Sequence, residues 1–260
     1  MTAPYLSVVI PSFNEAKRLG PGLDSVRGWL DARGTPGEIV VVDDGSTDGT
    51  SEVAEARRHE DRRVRVLRFP ANRGKGAAVR EGALASEGRL ILVTDADLST
   101  PIEELDRLLG RMRETSSDVV IGSRGLPGSR IEVSQPIWRR AMGRGFNLII
   151  RALTDLPYRD TQCGFKLLDR DKTVPIFRKM VVDRFAYDVE LLVLARLAGL
   201  RILEEPVLWR NSPDSRVAPL RASWNMFADV LRLRGRLRRG FYRAREEAGR
   251  PPRTGAGLSR

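Results

Sequence analysis

The sequence predicts an α/β protein: a mostly parallel sheet flanked by helices, followed by C-terminal amphipathic basic helices. Three observations carry this expectation. Short β-branched runs alternate with helix-length amphipathic stretches through the first half of the chain. The runs that precede turn signals are almost continuously apolar, as strands covered on both faces of a parallel sheet are. The chemically suggestive clusters fall at the carboxyl ends of those runs, the edge where such sheets bind ligands.

Strands are expected at Leu6–Ile10, Ile39–Val42, Val64–Phe69, Leu90–Thr94 and Val119–Gly122, with helices near 15–32, 48–60, 75–86 and 102–114. Asp48 fits an N-cap for the second helix, and Pro101 suits the first turn of the fourth. Residues 125–135 are rich in Gly, Pro and Ser and read as a loop. Residues 136–153 predict a basic amphipathic helix, with Trp138, Met142, Phe146, Ile149, Ile150 and Leu153 at helical spacing and Arg139, Arg140 and Arg144 interleaved. A helix over 186–198, a strand over 201–205, an Arg-rich helix over 218–245 and a disordered end over 249–260 follow.

The chain has 260 residues, 41% hydrophobic and 30% charged, enough for one large domain or two small ones and unlike collagen or a disordered chain. A single cysteine, Cys163, excludes an intrachain disulfide and makes a reducing compartment the default. The formal net charge is +11, and twelve arginines lie in residues 216–260 against only Asp229, Glu246 and Glu247. The excess therefore sits at the C-terminal end and points to an anionic partner. Met1–Tyr5 lacks a basic leader, and the most apolar long segment, 185–200, is interrupted by Asp188, Glu190 and Arg196. The expectation is no targeting or membrane-spanning segment, and a protein that is soluble or attached to a membrane surface.

Four clusters mark the strand ends: Pro11-Ser-Phe-Asn-Glu15, Asp43-Asp-Gly-Ser46, Asn72-Arg-Gly-Lys-Gly76 and Asp95-Ala-Asp97. Asp95 and Asp97, two apart in extended chain, point to one side, and two such carboxylates repel unless a cation or proton lies between them. Oxygen ligands without a Cys or His cluster favour Mg²⁺ or Mn²⁺ completed by phosphates and waters; the plain alternative is an acidic strand-end turn. Asp43 and Asp44 fit either an Asx turn or acceptors for a nucleobase imide or ribose hydroxyls, with Gly45 permitting close approach. Arg73 and Lys75 at a helix N-terminus favour an anion. Neither a P-loop nor a Gly-x-Gly-x-x-Gly motif is present, which argues against ATPases and common dehydrogenases. His59, the only histidine, lies in a charged stretch, so Ser-His or Cys-His nucleophilic chemistry is not expected.

Together the motifs resemble family 2 glycosyltransferases of the GT-A fold, and more closely the dolichyl-phosphate β-glucosyltransferases and related polyprenyl-phosphate enzymes. The matching elements are residues 8–15, 41–48, 72–77, Thr94-Asp-Ala-Asp97 and Gly122-Ser-Arg124. In the second half Arg159-Asp-Thr-Gln-Cys-Gly-Phe-Lys166 and Phe185-Ala-Tyr-Asp-Val-Glu190 carry the closer likeness. The resemblance implies a transferase domain over 1–217, with a nucleotide-binding half to about 124 and an acceptor half beyond, then a helical tail over 218–248.

It further implies a nucleotide-sugar site built from Pro11, Ser12, Asn14, Glu15, Asp43, Asp44, Gly45, Lys75, Asp95, Ala96 and Asp97, with Asp95 and Asp97 on Mg²⁺ or Mn²⁺. Arg124 would lie near the reacting phosphates. Arg210, Ser215 and Arg216 stand where relatives carry a loop that closes on the donor diphosphate, Arg216 replacing the usual Lys. Arg139, Arg140, Gln162 and Lys166 would face the acceptor or membrane. Mannosyl relatives carry Gln where this chain has Ser99, which favours UDP-glucose over GDP-mannose. The implied reaction is inverting transfer of glucose to a polyprenyl phosphate, at the cytoplasmic face of a membrane whose anionic surface the basic tail would meet. A phosphate acceptor needs no general base; an alcohol acceptor would, and Asp188 or Glu190 would then be the candidates. A soluble acceptor, a GDP-mannose donor, and a non-catalytic nucleotide-sugar or nucleic-acid binder are the competing readings.

Overall fold

In the computed structural model, which describes residues 3–132, 137–210 and 219–242, the five expected strands form within two residues of their expected bounds. In chain order they and their helices are β1 (Leu6–Ser12), α1 (Ala16–Ala32), β2 (Gly37–Asp43), α2 (Thr50–Glu60), β3 (Val64–Arg68), α3 (Lys75–Ala85), β4 (Leu90–Val93), α4 (Glu104–Thr115) and β5 (Val119–Ser123). The second half adds β6 (Arg130–Ile131), α5 (Ile137–Thr154), β7 (Lys166–Asp169), α6 (Arg170–Lys179), α7 (Tyr187–Leu197), β8 (Ile202–Pro206), β9 (Leu208–Trp209) and α8 (Pro219–Arg238).

Seven strands form one sheet in the order β3-β2-β1-β4-β7-β5-β8, parallel except for β7, while β6 pairs with β9 in a separate two-stranded ribbon. Each apolar strand feeds two cores. Val9, Val40, Val42, Ile91 and Val93 face α3, α6 and α7, whereas Leu6, Val8, Ile10, Ile39 and Val41 face α1 and α4. Burial on both faces is why these strands read as unbroken apolar runs rather than as alternation.

The structure departs from expectation in the second half. Strand β7 was not expected: only Leu167 and Leu168 lie between Lys166 and Asp169, too short an apolar run to register as a strand. Helix α6, interrupted by Pro175, was likewise not expected; Asp169 caps it by accepting the Lys172 N–H at 3.2 Å. The residues read as a loop over 125–135 contain β6. At α2 the cap position is Gly49 rather than Asp48, whose carboxylate instead accepts the Thr50 N–H at 3.2 Å. Pro101 lies in the turn ahead of α4, where its carbonyl accepts the Glu104 N–H. The expected disordered end, 249–260, lies outside the described residues.

Helix α8 does not stand off from the body. Val230 and Leu233 are buried in the same core as α7, with Met226 and Leu237 packed against it. The apolar residues of α8 and of the turn after it are therefore divided: those four face protein, while Trp224 at 70%, Leu231 at 44% and Phe241 at 36% remain exposed. Among the described residues no helix is long and apolar enough to cross a membrane.

Candidate active site

The turns after β1 and β2 are tied to each other. Asn14 adopts φ +55°, a left-handed conformation that asparagine tolerates better than most residues. Its N–H donates to Ser46 Oγ at 2.9 Å, and its Oδ1 accepts the Thr47 N–H at 3.0 Å. Pro11 and Ser12 are buried at the end of β1, level with Val42 and Asp43 of β2. Glu15 donates its N–H to Thr50 Oγ1 at 2.8 Å, and its carboxylate pairs with Arg18 at 2.6 Å. Burial pushes the Glu15 carboxyl above the usual range, Asp97 and Asp95 adding to that rise and Arg18 opposing it.

Asp43 is fully buried. Its Oδ1 accepts the Ser46 N–H at 2.9 Å, whereas Oδ2 makes no hydrogen bond and has the Arg68 guanidinium at 3.4 Å. Asp44 does something other than face outward: its carboxylate accepts from Asn72 Nδ2 at 2.9 Å, the Arg73 N–H at 2.7 Å and the Gly74 N–H at 2.8 Å. It thereby shapes the turn that presents Lys75. Gly45 carries the chain past this turn at φ +72°.

Lys75, the first residue of α3, reaches across to Asp95 Oδ1 just beyond β4. Burial would raise the Asp95 pKa, but Lys75, with Lys166 and Arg124 behind it, outweighs burial and holds the carboxyl below its ordinary range. Asp97 Oδ1 accepts the Ser99 N–H at 2.9 Å, and its Oδ2 lies 3.5 Å from Arg18. The side chain of Ala96 is buried in the core between the sheet, α1 and α4.

Strand β7 explains how the second half joins the site. Because it runs antiparallel, its first residue lies level with the last residues of its neighbours: Lys166 pairs with Val93 of β4 and Ile121 of β5. The loop before β7 then lies at the carboxyl edge. Arg124 forms a two-pronged pair with Asp160, Nε–Oδ2 2.6 Å and Nη2–Oδ1 2.9 Å, with its guanidinium 5.5 Å from the Trp209 ring centroid. Burial opposes ionisation of both partners, yet mutual attraction prevails, raising the Arg124 pKa and lowering that of Asp160. Gly164 abuts Asp95: a Cβ there would lie 2.9 Å from Oδ1 and closer still to Oδ2. Gly164→Ala should therefore lower the unfolding free energy by about 1–3 kcal/mol, measured by urea denaturation, since Asp95 or β7 must shift.

Two expected roles change. Lys166, expected to face an acceptor, has no exposed surface; its Nζ donates to the Cys163 carbonyl and lies 2.5 Å from Asp188 Oδ1. Burial nonetheless raises the Asp188 pKa, with Lys166 and Lys75 opposing. Glu190 does not join Asp188: two residues apart on a helix they lie on opposite sides of α7. Glu190 accepts the Val181 N–H at 3.0 Å, the Val182 N–H at 2.9 Å and the Tyr242 hydroxyl at 2.5 Å, so it is a structural anchor rather than a base.

Gln162 donates its side chain to Met226 Sδ of α8 at 3.0 Å. Arg210 pairs with Glu132 at 2.8 Å, and its N–H donates to the Ser99 carbonyl, next to Asp97. Ser215, Arg216 and the side chains of Arg139 and Arg140 lie outside the described residues. Cys163 is buried, and burial raises its thiol pKa, as for a cysteine packed in a core. Sequence reasoning missed Arg18, although its i, i+3 spacing from Glu15 was a usable signal. It also left Asp160 and Gly164 out of the site despite naming the motif that holds them.

Comparison with known proteins decides the family. The sequence profile of the glycosyl transferase family 2 matches residues 7–177. The chain belongs to that family. This glycosyltransferase is 36% identical over 253 residues to a dolichyl-phosphate beta-glucosyltransferase of Mus musculus, covering 93% of this chain and 78% of the relative. It is 36% identical to that of Homo sapiens (92% and 77%) and 34% identical to one of Trichomonas vaginalis (95% and 76%). Among solved structures it resembles the Mycobacterium tuberculosis glucosyl-3-phosphoglycerate synthase crystallised with Mn²⁺, UDP and phosphoglyceric acid. There the TM-score is 0.65 at 19% identity, covering 89% of this chain and 79% of that one. The mannosyl-3-phosphoglycerate synthase of Rubrobacter xylanophilus gives 0.64 at 19%, covering 98% and 79%. The architecture is the GT-A fold, as the sequence led one to expect.

Proposed function

We propose that this glycosyltransferase moves glucose from UDP-glucose to a polyprenyl phosphate of the dolichyl type, with inversion, forming a β-linked lipid phosphate sugar. The likeness to dolichyl-phosphate beta-glucosyltransferases over 92–95% of the chain carries the reading. The strand-end rim supports it by chemistry. Asp43, with one carboxylate oxygen lacking a hydrogen bond, stands on the nucleoside side. Lys75 and Arg124 supply the positive charge that two converging phosphate groups require.

The residues fit a divalent ion. Asp95 and Asp97 offer hard oxygen donors, and Gly164, which has no side chain, lets the loop before β7 pack directly against the Asp95 carboxylate. Among the described residues no cluster of three His, Cys, Asp or Glu could hold an ion unaided. That suits Mg²⁺ or Mn²⁺, which complete their shells with waters and substrate phosphates. When bound, such an ion takes up negative charge developing on the leaving diphosphate.

The chain's own groups then do positioning work. The anomeric carbon–oxygen bond to the donor phosphate breaks as a bond to the acceptor phosphate oxygen forms. A phosphate monoester, with its second pKa about 6, is ionised near neutrality and gives up no proton in attacking. Asp188 is accordingly held by Lys166 rather than presented as a base. Attachment to the cytoplasmic face of a membrane is part of this proposal, supported by the exposed Trp224 and Leu231 on the Arg-rich α8.

Incubation with radiolabelled UDP-glucose, Mn²⁺ and a polyprenyl phosphate is expected to move label into the chloroform phase. Label that reaches only water-soluble products, or transfer that proceeds better from GDP-mannose, would overturn the acceptor or the donor assignment respectively.

A further inference from the structure

We propose that Tyr242, just beyond the C-terminal helix α8, is a positioning residue for Lys75, acting through Glu190 and the 180–184 segment between α6 and α7. The inference rests on the reading of Lys75 as a donor-site cation. On one side, the 180–184 segment meets the start of α3 without intervening atoms. The Asp183 carbonyl accepts the Ala77 N–H at 3.1 Å, and Asp183 Oδ1 pairs with Arg80 of α3 at 2.7 Å. Gly76 packs so closely here that a Cβ would lie 2.9 Å from the Arg184 carbonyl oxygen and 2.6 Å from Tyr187 Cβ, and would strike the Val182 carbonyl. Gly74, at φ +109°, meets the Asp183 carbonyl in the same way. The residues that flank Lys75 are thus seated on this segment.

On its other side the segment is held by Glu190. One buried carboxylate accepts the Val181 and Val182 N–H groups and the Tyr242 hydroxyl. Glu190 has no exposed surface and lies on α7, on the opposite side from Asp188, so it serves no substrate directly. A buried carboxylate keeps a single position only when its donors are all in place, because each missing donor leaves a lone pair without water. Tyr242 is the donor that comes from the C-terminal end of the chain. Its ring is held edge-on to Phe241, centroids 5.2 Å apart, and is buried with Val230 and Leu233 of α8. Docking of α8 and placement of Lys75 are therefore linked through two side chains and one short segment.

The test compares Tyr242→Phe with Val230→Ala in the full chain. The first removes the hydroxyl and keeps the ring; the second trims the buried side of α8 and leaves that hydroxyl in place. In Tyr242→Phe, amide hydrogen exchange at residues 74–77 and 181–182 is expected to accelerate. KM for UDP-glucose is expected to rise about fivefold to tenfold, the worth of one buried hydrogen bond, with kcat little changed. Val230→Ala, brought to the same loss in unfolding midpoint, is expected to leave both at wild-type values. Exchange at 74–77 unchanged in Tyr242→Phe, or accelerated equally in Val230→Ala, overturns the inference. If the wild-type chain does not use UDP-glucose, the donor assignment fails while the exchange comparison still judges the linkage.

Discussion

Asp97→Asn is expected to reduce glucosyl transfer by about 100- to 1,000-fold, the scale set by removing one group that stabilises transition-state charge. The substitution is nearly isosteric. Its amide oxygen can still accept the Ser99 N–H, now at 2.9 Å from Asp97 Oδ1, so the turn after β4 should persist. What disappears is one negative charge beside Asp95, and with it the second hard anionic donor for a divalent ion. The unfolding midpoint should move by no more than about 4 °C, because a partly exposed turn carboxylate contributes little to stability. Initial rates with UDP-glucose and a polyprenyl phosphate, read beside Mn²⁺ binding by electron paramagnetic resonance, check this. Rates within tenfold of wild type, with Mn²⁺ bound normally, would refute the metal role of the Asp95–Asp97 pair.

Lys166→Met is expected to cost about 3–5 kcal/mol of stability, the range for removing one partner of a buried ion pair. Lys166 has no exposed surface, and its ammonium lies 2.5 Å from Asp188 Oδ1. Methionine fills similar volume, so the loss arises from a buried carboxylate left without its cation. The pH dependence has a definite sign. Burial raises the folded-state pKa of Asp188, so the folded protein prefers the protonated carboxyl and loses stability as pH rises through that raised value. With Lys166 absent the effect grows: the variant should be closest to wild type at acid pH and fall further behind as pH rises. Urea unfolding at two pH values measures this, and adding Asp188→Asn should restore at least half of the loss. A single variant equally impaired at both pH values would show that packing, not charge, accounts for the defect.

The two halves of the chain differ in how much of them could be read from sequence. Strands β1, β2, β4 and β5 are short, β-branched and apolar on both sides, so a local pattern suffices to reveal them. The carboxyl ends of β1, β2 and β4 carry Asn14, Asp43, Asp95 and Asp97, Lys75 follows β3, and a parallel sheet brings all such ends to one edge whatever the details. By contrast β7 has too few apolar residues to register, and its direction depends on which neighbours it meets. Glu190 and Asp188 look alike as neighbours in sequence. Only the helical turn of α7, and what packs on each side of it, sends one to Lys166 and the other to Tyr242. An amphipathic pattern likewise leaves open which apolar residues of α8 are buried and which exposed, because helical spacing says that a face exists but not which part of it finds the core.

The order of residues alone determined the sheet-and-helix alternation, the acidic and basic clusters at the strand ends, and the motifs that mark a family 2 glycosyltransferase, since each is a pattern among residues close together in the chain. The antiparallel insertion of β7, the burial of Lys166 against Asp188, the clasp of Arg124 by Asp160 and the anchoring of Tyr242 by Glu190 were decided only by tertiary structure. Each joins residues from 22 to 52 positions apart, or in the case of β7 two strands that flank it in space and precede it in sequence. Such pairings depend on packing and on the loss of water around charge, which no local pattern of residues encodes.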